Sequence, residues 1–300
     1  MARALRRAAR HPWLRHLRLA FNLILTPIWG FGVVAALRET GVSVEAGRLL
    51  AAWASLHVFL YGGTTAFNSV YDRDEGPVGG MLHPPAVDGG LLPFSLAVQA
   101  IGAAFAAWVG ATFLAFWGAL FAVFTAYSHP AVRLKRDPRL AMAAIALGQG
   151  ALGFALGWVT VAGTADLATP WNAARMAVTA LLVAGLYVVT QAYQVREDAA
   201  RGDRTLPVRW GAPRALRAAA GLLPAGALVL AADVARDLGV GVAAAVVAGA
   251  LGLAAALHRW AARFDPGDVA GNFRVAMRLA VGASAAATTL LAAWALSLRA

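Results

Sequence analysis

The feature that most constrains this 300-residue chain is a succession of long apolar runs that leaves almost no room for an aqueous core. A helix needs roughly 20 mostly apolar residues to cross ~30 Å of hydrocarbon. Nine such segments can be drawn: Leu19–Leu37, Leu49–Phe67, Leu91–Val109, Ala111–Ser128, Leu140–Ala162, Ala173–Thr190, Ala215–Ala232, Leu238–Leu257 and Leu279–Leu298. Charged residues make up only 14% of the chain, where a soluble domain has about 25%. The expected architecture is an all-α polytopic bundle of about nine transmembrane helices. Residues 1–18 form a basic cytoplasmic N-terminal segment, and residues 19–300 a single transmembrane domain. The chain has no cysteine, which removes disulfides, thiolate metal sites and a cysteine nucleophile from consideration.

The formal charge of +11 does not point to nucleic acid, because the basic residues sit in short segments between apolar spans. With the N-terminus in the cytoplasm, 21 of the 26 Lys and Arg fall on that side and five on the other. This is the distribution the positive-inside rule demands. A multi-pass protein of the inner (cytoplasmic) membrane follows, with its charge chemistry gathered on the cytoplasmic face.

Two acidic clusters mark that face. The first runs Asn68-x-x-x-Asp72-Arg-Asp74-Glu75-Gly76-Pro77, where the spacings of four and three put Asn68, Asp72 and Glu75 on one helix face. His57, Tyr61 and Thr64 extend the stripe into the membrane, where polar side chains must face protein or a wet cavity. The second cluster runs Tyr193-Gln194-Val-Arg196-Glu197-Asp198-Ala-Ala-Arg201-Gly202-Asp203. It is fed by Tyr187, Gln191 and Gln194 at similar spacings. A single acidic helix end is usually just solvated. Two on one side, each reached by an intramembrane polar stripe, indicate a site. Oxygen-rich clusters without Cys suit a hard cation, Mg²⁺ before Zn²⁺, and Mg²⁺ is commonly shared with phosphate. A third segment, Tyr127-Ser128-His129-Pro130-Ala-Val-Arg133-Leu-Lys135-Arg136, offers cations that can grip phosphate oxygens.

Together these segments resemble the UbiA superfamily of intramembrane prenyltransferases. Asn68-x-x-x-Asp72 is similar to the start of that family's first motif, and Asp198-x-x-x-Gly202 with Thr205-Leu-Pro-Val to the end of its second. Tyr127-Ser128, Pro130 and Arg133-Leu-Lys135 resemble the basic loop between them, and Gly148-Gln-Gly150-Ala-Leu-Gly153 a small-residue helix after it. Gly76 stands where the pattern has an Asp and Gln194 where it usually has Asp or Asn, leaving Asp74 or Glu75 to replace the first and Glu197 or Asp203 the second.

The resemblance implies Mg²⁺-dependent transfer of an isoprenoid chain from an allylic prenyl diphosphate to an aromatic or lipophilic acceptor within the bilayer. It implies Asp72, Asp198 and Lys135 as catalytic residues, and Asn68, Asp72, Glu75, Gln194 and Asp198 as metal ligands. Arg133, Lys135 and Arg201 would bind diphosphate. Asn22, His57, Tyr61, Tyr127, Gln149 and Tyr193 are candidate cavity walls. The competing readings are a transporter, which would need polar groups near the midplane, and an inactive homologue that keeps the cavity.

Overall fold

A computed structural model describes residues 11–298. Eight helices among the described residues are long and apolar enough to cross a membrane. In chain order the elements are α1 (Pro12–Thr40), α2 (46–72), α3 (Leu91–Val109), α4 (Ala111–Ser128), α5 (Pro138–Ala162), α6 (Pro170–Gln191), the short α7 (Val195–Ala200) and α8 (Leu206–Trp210), α9 (Ala212–Leu238), α10 (Val240–Ala262) and α11 (Val269–Ser297). The described residues contain no β-strand, only an isolated bridge between Val78 and Met81. The chain is an all-α, multi-pass membrane protein.

α3 and α4 fall on their expected bounds, and Gly110, with a φ of +145°, makes the turn between them. The other helices run several residues past the apolar runs, because polar residues continue a helix beyond the hydrocarbon. The expected second span is helical but is not one of the eight. It belongs to α2, whose Ser55, His57 and Tyr61 are buried among other helices. A helix enclosed by protein needs no uniformly apolar surface.

Glycines set the closest helix contacts. A Cβ on Gly32 of α1 would lie 2.0 Å from the Phe154 carbonyl oxygen of α5, and one on Gly157 of α5 would lie 2.0 Å from the Trp29 carbonyl oxygen. The two backbones therefore touch, as small residues permit in membranes where packing replaces the hydrophobic drive. One buried apolar cluster draws mainly on α1 to α5, and a second joins the end of α6 to the start of α9, the end of α10 and the start of α11. The acidic segments emerge at the junction of these two bodies.

Residues 1–10 lie outside the described residues. The rest of the expected N-terminal segment is not separate from the bundle. Trp13 Nε1 donates to Asp88 at 2.9 Å and Arg15 to the His83 carbonyl at 2.7 Å, so this first turn is pinned to the loop that follows α2.

Candidate active site

The polar cavity is built where α2, α4 and α6 end. α2 ends at Asp72, because Arg73 adopts a left-handed conformation with φ +50°. The chain then reverses through Gly79 (φ +37°) and Gly80 (φ +82°). A Cβ at Gly79 would lie 2.9 Å from Arg18, and one at Gly80 2.9 Å from Phe21. The glycines thus bring this loop directly onto α1. On the other side α6 ends at Gln191, and a turn leads into α7, which carries Glu197 and Asp198.

Asn68, Asp72, Lys135, Gln149, Tyr127, Tyr193, Gln194, Asp198 and Arg201 all line one cavity. Asp72 and Asp198, 126 positions apart in the chain, share its walls. Lys135 reaches Asn68 Oδ1 at 2.9 Å and forms an ion pair with Asp72. Ser128 also donates to Asn68 Oδ1, at 2.7 Å. Arg201 bridges the clusters, with Nη1 on Asp74 at 2.6 Å and Nη2 on Asp198 at 2.8 Å. Tyr127 and Tyr187 share a hydroxyl–hydroxyl hydrogen bond of 2.7 Å, and the Lys135 ammonium stands 5.9 Å over the Tyr127 ring.

Burial tunes the charges. Burial drives the Asp198 carboxyl up to about 7 against the pull of Arg201. Burial also lowers the Lys135 ammonium, partly offset by Asp72. For Arg201 burial works against the charge, but Asp74, Asp72 and Asp198 more than compensate, so the guanidinium stays firmly cationic. Several buried polar atoms around the cavity have no hydrogen-bond partner among the described residues: Nε of Arg18 and of Arg201, the latter 3.7 Å from Asp203 Oδ2, Oε1 of Gln191 and the Tyr193 hydroxyl.

Among the described residues, no three His, Cys, Asp or Glu converge on a ready-made metal cage. The oxygens nevertheless suit a hard cation: Asn68 and Asp72 already converge on one ammonium, and Asp74 and Asp198 on one guanidinium. One or two carboxylates completed by water and phosphate oxygens are the usual surroundings of Mg²⁺.

Five expectations change. Glu75 is excluded from the walls because the left-handed Arg73 breaks the helical spacing. Asp74 turns inward instead, 8% exposed and held by Arg18 and Arg201. The π-helical turn 54–60 shifts the register upstream of Thr64. His57 and Tyr61 consequently pack behind the cavity, His57 between Trp29, Trp53 and Tyr61, and Tyr61 against Phe124. Asn22 bonds the Leu17 carbonyl at 2.8 Å and is not among the walls of this cavity. Arg133 does not reach the cavity but chelates Asp203, which does, at 3.1 and 3.2 Å.

Sequence reasoning missed Arg18. It reads as the last of a run of basic residues, yet it breaks α1 with φ +48°, bonds Ser69 at 2.8 Å and joins the walls. Its signal was its place, the last cation before an apolar span.

An apolar groove adjoins the polar cavity and shares Ile24, Val183 and Leu186 with it. It runs between α1, α6, α9, α10 and α11, past Pro27, Phe31, Leu182, Leu253 and Ala283.

Comparison with known proteins gives a match to the model of the UbiA prenyltransferase family over residues 23–279. A solved UbiA homologue from Archaeoglobus fulgidus bound to DMAPP and Mg²⁺ is 19% identical, with a TM-score of 0.66 over 94% of this chain and 99% of that one. The Archaeoglobus fulgidus homologue bound to GPP and Mg²⁺ gives 22% identity and a TM-score of 0.65, covering 93% of this chain and all of that one. A digeranylgeranylglyceryl phosphate synthase structure gives 12% identity and a TM-score of 0.56, over 96% and 99% of the two chains. No curated protein sequence is matched.

Proposed function

The chain belongs to the UbiA prenyltransferase family, and from that premise we propose that it transfers an isoprenoid chain from an allylic prenyl diphosphate to a lipophilic or aromatic acceptor. The transfer takes place on the cytoplasmic side of the inner membrane. The reading treats residues 19–300 as one catalytic domain, extended by Arg18. One observation carries it: Asp72, Asp198, Lys135 and Arg201, from separate parts of the chain, face the same cavity.

The polar end takes the diphosphate and the apolar groove its tail. The shared wall of Ile24, Val183 and Leu186 makes the two continuous. Asn68, Asp72, Gln194 and Asp198 would hold Mg²⁺. When bound, Mg²⁺ supplies positive charge to the departing diphosphate. The Archaeoglobus fulgidus homologues bound to Mg²⁺ with DMAPP or GPP support the same donor class.

The remaining work falls to this chain's side chains. As the allylic carbon–oxygen bond breaks, negative charge grows on the diphosphate oxygens. Lys135, Arg201 and Arg18 offer fixed cations there, in surroundings of low dielectric where such contacts count most. Lys135 must release Asp72 and Asn68 to do this, so donor binding exchanges one ion pair for another. The aromatic faces of Phe124, Tyr127 and Tyr187 border the reacting end and favour the allylic cation. The surrounding helices exclude bulk water, which would otherwise capture that cation.

The test is direct. Asp72→Ala and Asp198→Ala should each reduce Mg²⁺-dependent diphosphate release from an allylic donor by about 10³-fold or more, about 4 kcal/mol of lost stabilisation. Purified variants that turn over like the parent would refute the reading.

A further inference from the structure

The apolar groove beside the polar cavity narrows along its length, and α11 shows where. Its residues along the groove are small at first, Ala280, Ala283, Ser284 and Ala287, and then comes Leu291. One turn beyond Leu291 stands Trp294, fully buried. The small side chains leave room beside them, and the two large ones take it away. Phe31 of α1 arrives at the same level. Its ring centre lies 6.4 Å from that of Trp294, and a Cβ on neighbouring Gly30 would lie 3.6 Å from Leu291. Phe31, Leu291 and Val178 of α6 are all buried. Trp294 is fixed in place by a 2.8 Å bond from its Nε1 to Asp237. Packed side chains therefore close the end of the groove farthest from the polar cavity.

Resting on the prenyltransferase reading, we propose that this closed end selects the donor by tail length, with Phe31, Leu291 and Trp294 as the stop for a tail of about three isoprene units. The depth follows from the wall shared with the polar cavity. Ile24 to Phe31 is seven residues of α1, and Leu186 to Val178 is eight residues of α6. At 1.5 Å per residue either path is about 10–12 Å. An extended isoprene unit adds four chain carbons, about 5 Å. The first unit lies beside Phe124, Tyr127 and Tyr187 at the reacting end, and two more reach the stop. A longer tail must bend out of the groove, past Ala283, which is exposed at mid-depth. Lipid is as apolar as the groove, so transfer from the bilayer does not distinguish tails; fit against the stop does.

The experiment compares Mg²⁺-dependent diphosphate release from geranyl, farnesyl, geranylgeranyl and octaprenyl diphosphates, on the full chain in lipid nanodiscs. The ratio of kcat/KM between donors is read within each sample, so any loss of folded protein cancels. In the parent, farnesyl should lead and octaprenyl should fall about tenfold or more behind it, the scale of forcing extra carbons against packed side chains. Ala287→Phe fills the groove ahead of the stop. It should move the optimum to geranyl, lowering farnesyl about tenfold more than geranyl. Phe31→Ala cuts back the stop and should raise geranylgeranyl relative to farnesyl, and Leu291→Ala should do the same should the first variant fail to fold. A parent that takes octaprenyl as well as farnesyl, or an Ala287→Phe variant that lowers every donor by the same factor, overturns the assignment. Release from none of the four donors by the parent would instead remove the prenyltransferase reading itself.

Discussion

The two ends of α6 carry ion clusters of opposite character. At its start, Arg175 is fully buried. It donates to Asp233 at 2.7 and 2.8 Å and to Asn172 at 2.7 Å, and pairs with Glu39. Trp171 adds a 2.9 Å bond to Asp233. At the other end, roughly 24 Å along the helix at 1.5 Å per residue, Asp74 and Asp198 are also buried, and both pair with the partly buried Arg201. There, however, Gln191 Oε1, Tyr193 OH and the Nε atoms of Arg18 and Arg201 make no hydrogen bond among the described residues. Both ends bear the desolvation of charge. The first recovers it internally and is finished as a piece of architecture. The second is left short of partners, which is what a ligand site requires. Buried charge alone does not identify function in a membrane bundle; what sets this end apart is that its unsatisfied atoms and its charges line one cavity.

Breaking the complete end should give the largest loss of stability. Arg175→Met strands Asp233 in a dry interior and should cost about 3–5 kcal/mol, whereas Arg175→Met/Asp233→Leu should recover most of it. Unfolding of purified protein in mixed detergent checks both, and the surviving protein should keep its Mg²⁺ dependence.

At the incomplete end the principal effect shifts to activity. Lys135→Met should lower diphosphate release about 10²–10³-fold, the range for one lost charge-stabilising donor. Mg²⁺ with inorganic diphosphate should then raise its melting temperature more than the parent's, because a cation again meets Asp72.

A third comparison uses pH. The metal-free Asp198 carboxyl has moved from 3.8 up to about 7. A raised carboxyl favours the fold while protonated, so the metal-free protein should lose stability as pH climbs from about 4 to about 7. A divalent cation must displace that proton. Its apparent affinity should therefore fall by up to about tenfold per unit below pH 7 and level off above it. Titrations at pH 6, 7 and 8 decide this, and a flat profile would remove Asp198 as a ligand.

The smallest contrast needs only hydroxyl and indole deletions. Tyr193→Phe should cost no more than about 1 kcal/mol, because its buried hydroxyl has only the Gly79 backbone beside it and no well-formed hydrogen bond to lose. Trp171→Phe, which strips a donor from Asp233, should cost about 1–3 kcal/mol.

What the sequence disclosed follows the same division. The spans were legible because hydropathy responds directly to the bilayer. Asn68, Asp72, Lys135, Asp198 and Arg201 were legible because a carboxylate or ammonium at a helix end beside a polar stripe is costly without a purpose. Glu75, His57 and Tyr61 were misplaced by assuming an unbroken α-helical period through a π turn and a left-handed Arg73. Arg18 was hidden among neighbouring arginines, and Asn22 looked polar enough for the cavity although a nearby carbonyl satisfied it. Spacing carries a side chain only as far as the backbone stays regular.

The π turns of residues 54–60 in α2 and 146–152 in α5 add a consequence of their own. Each is a stretch of helix wound one residue looser than its surroundings. Removing a single residue there would let the helix tighten to ordinary pitch, while neighbours still grip it above and below. These turns are slack in an otherwise taut framework. Length changes that would twist Asn68 and Asp72 away from their partners elsewhere in α2 can be absorbed at this one place.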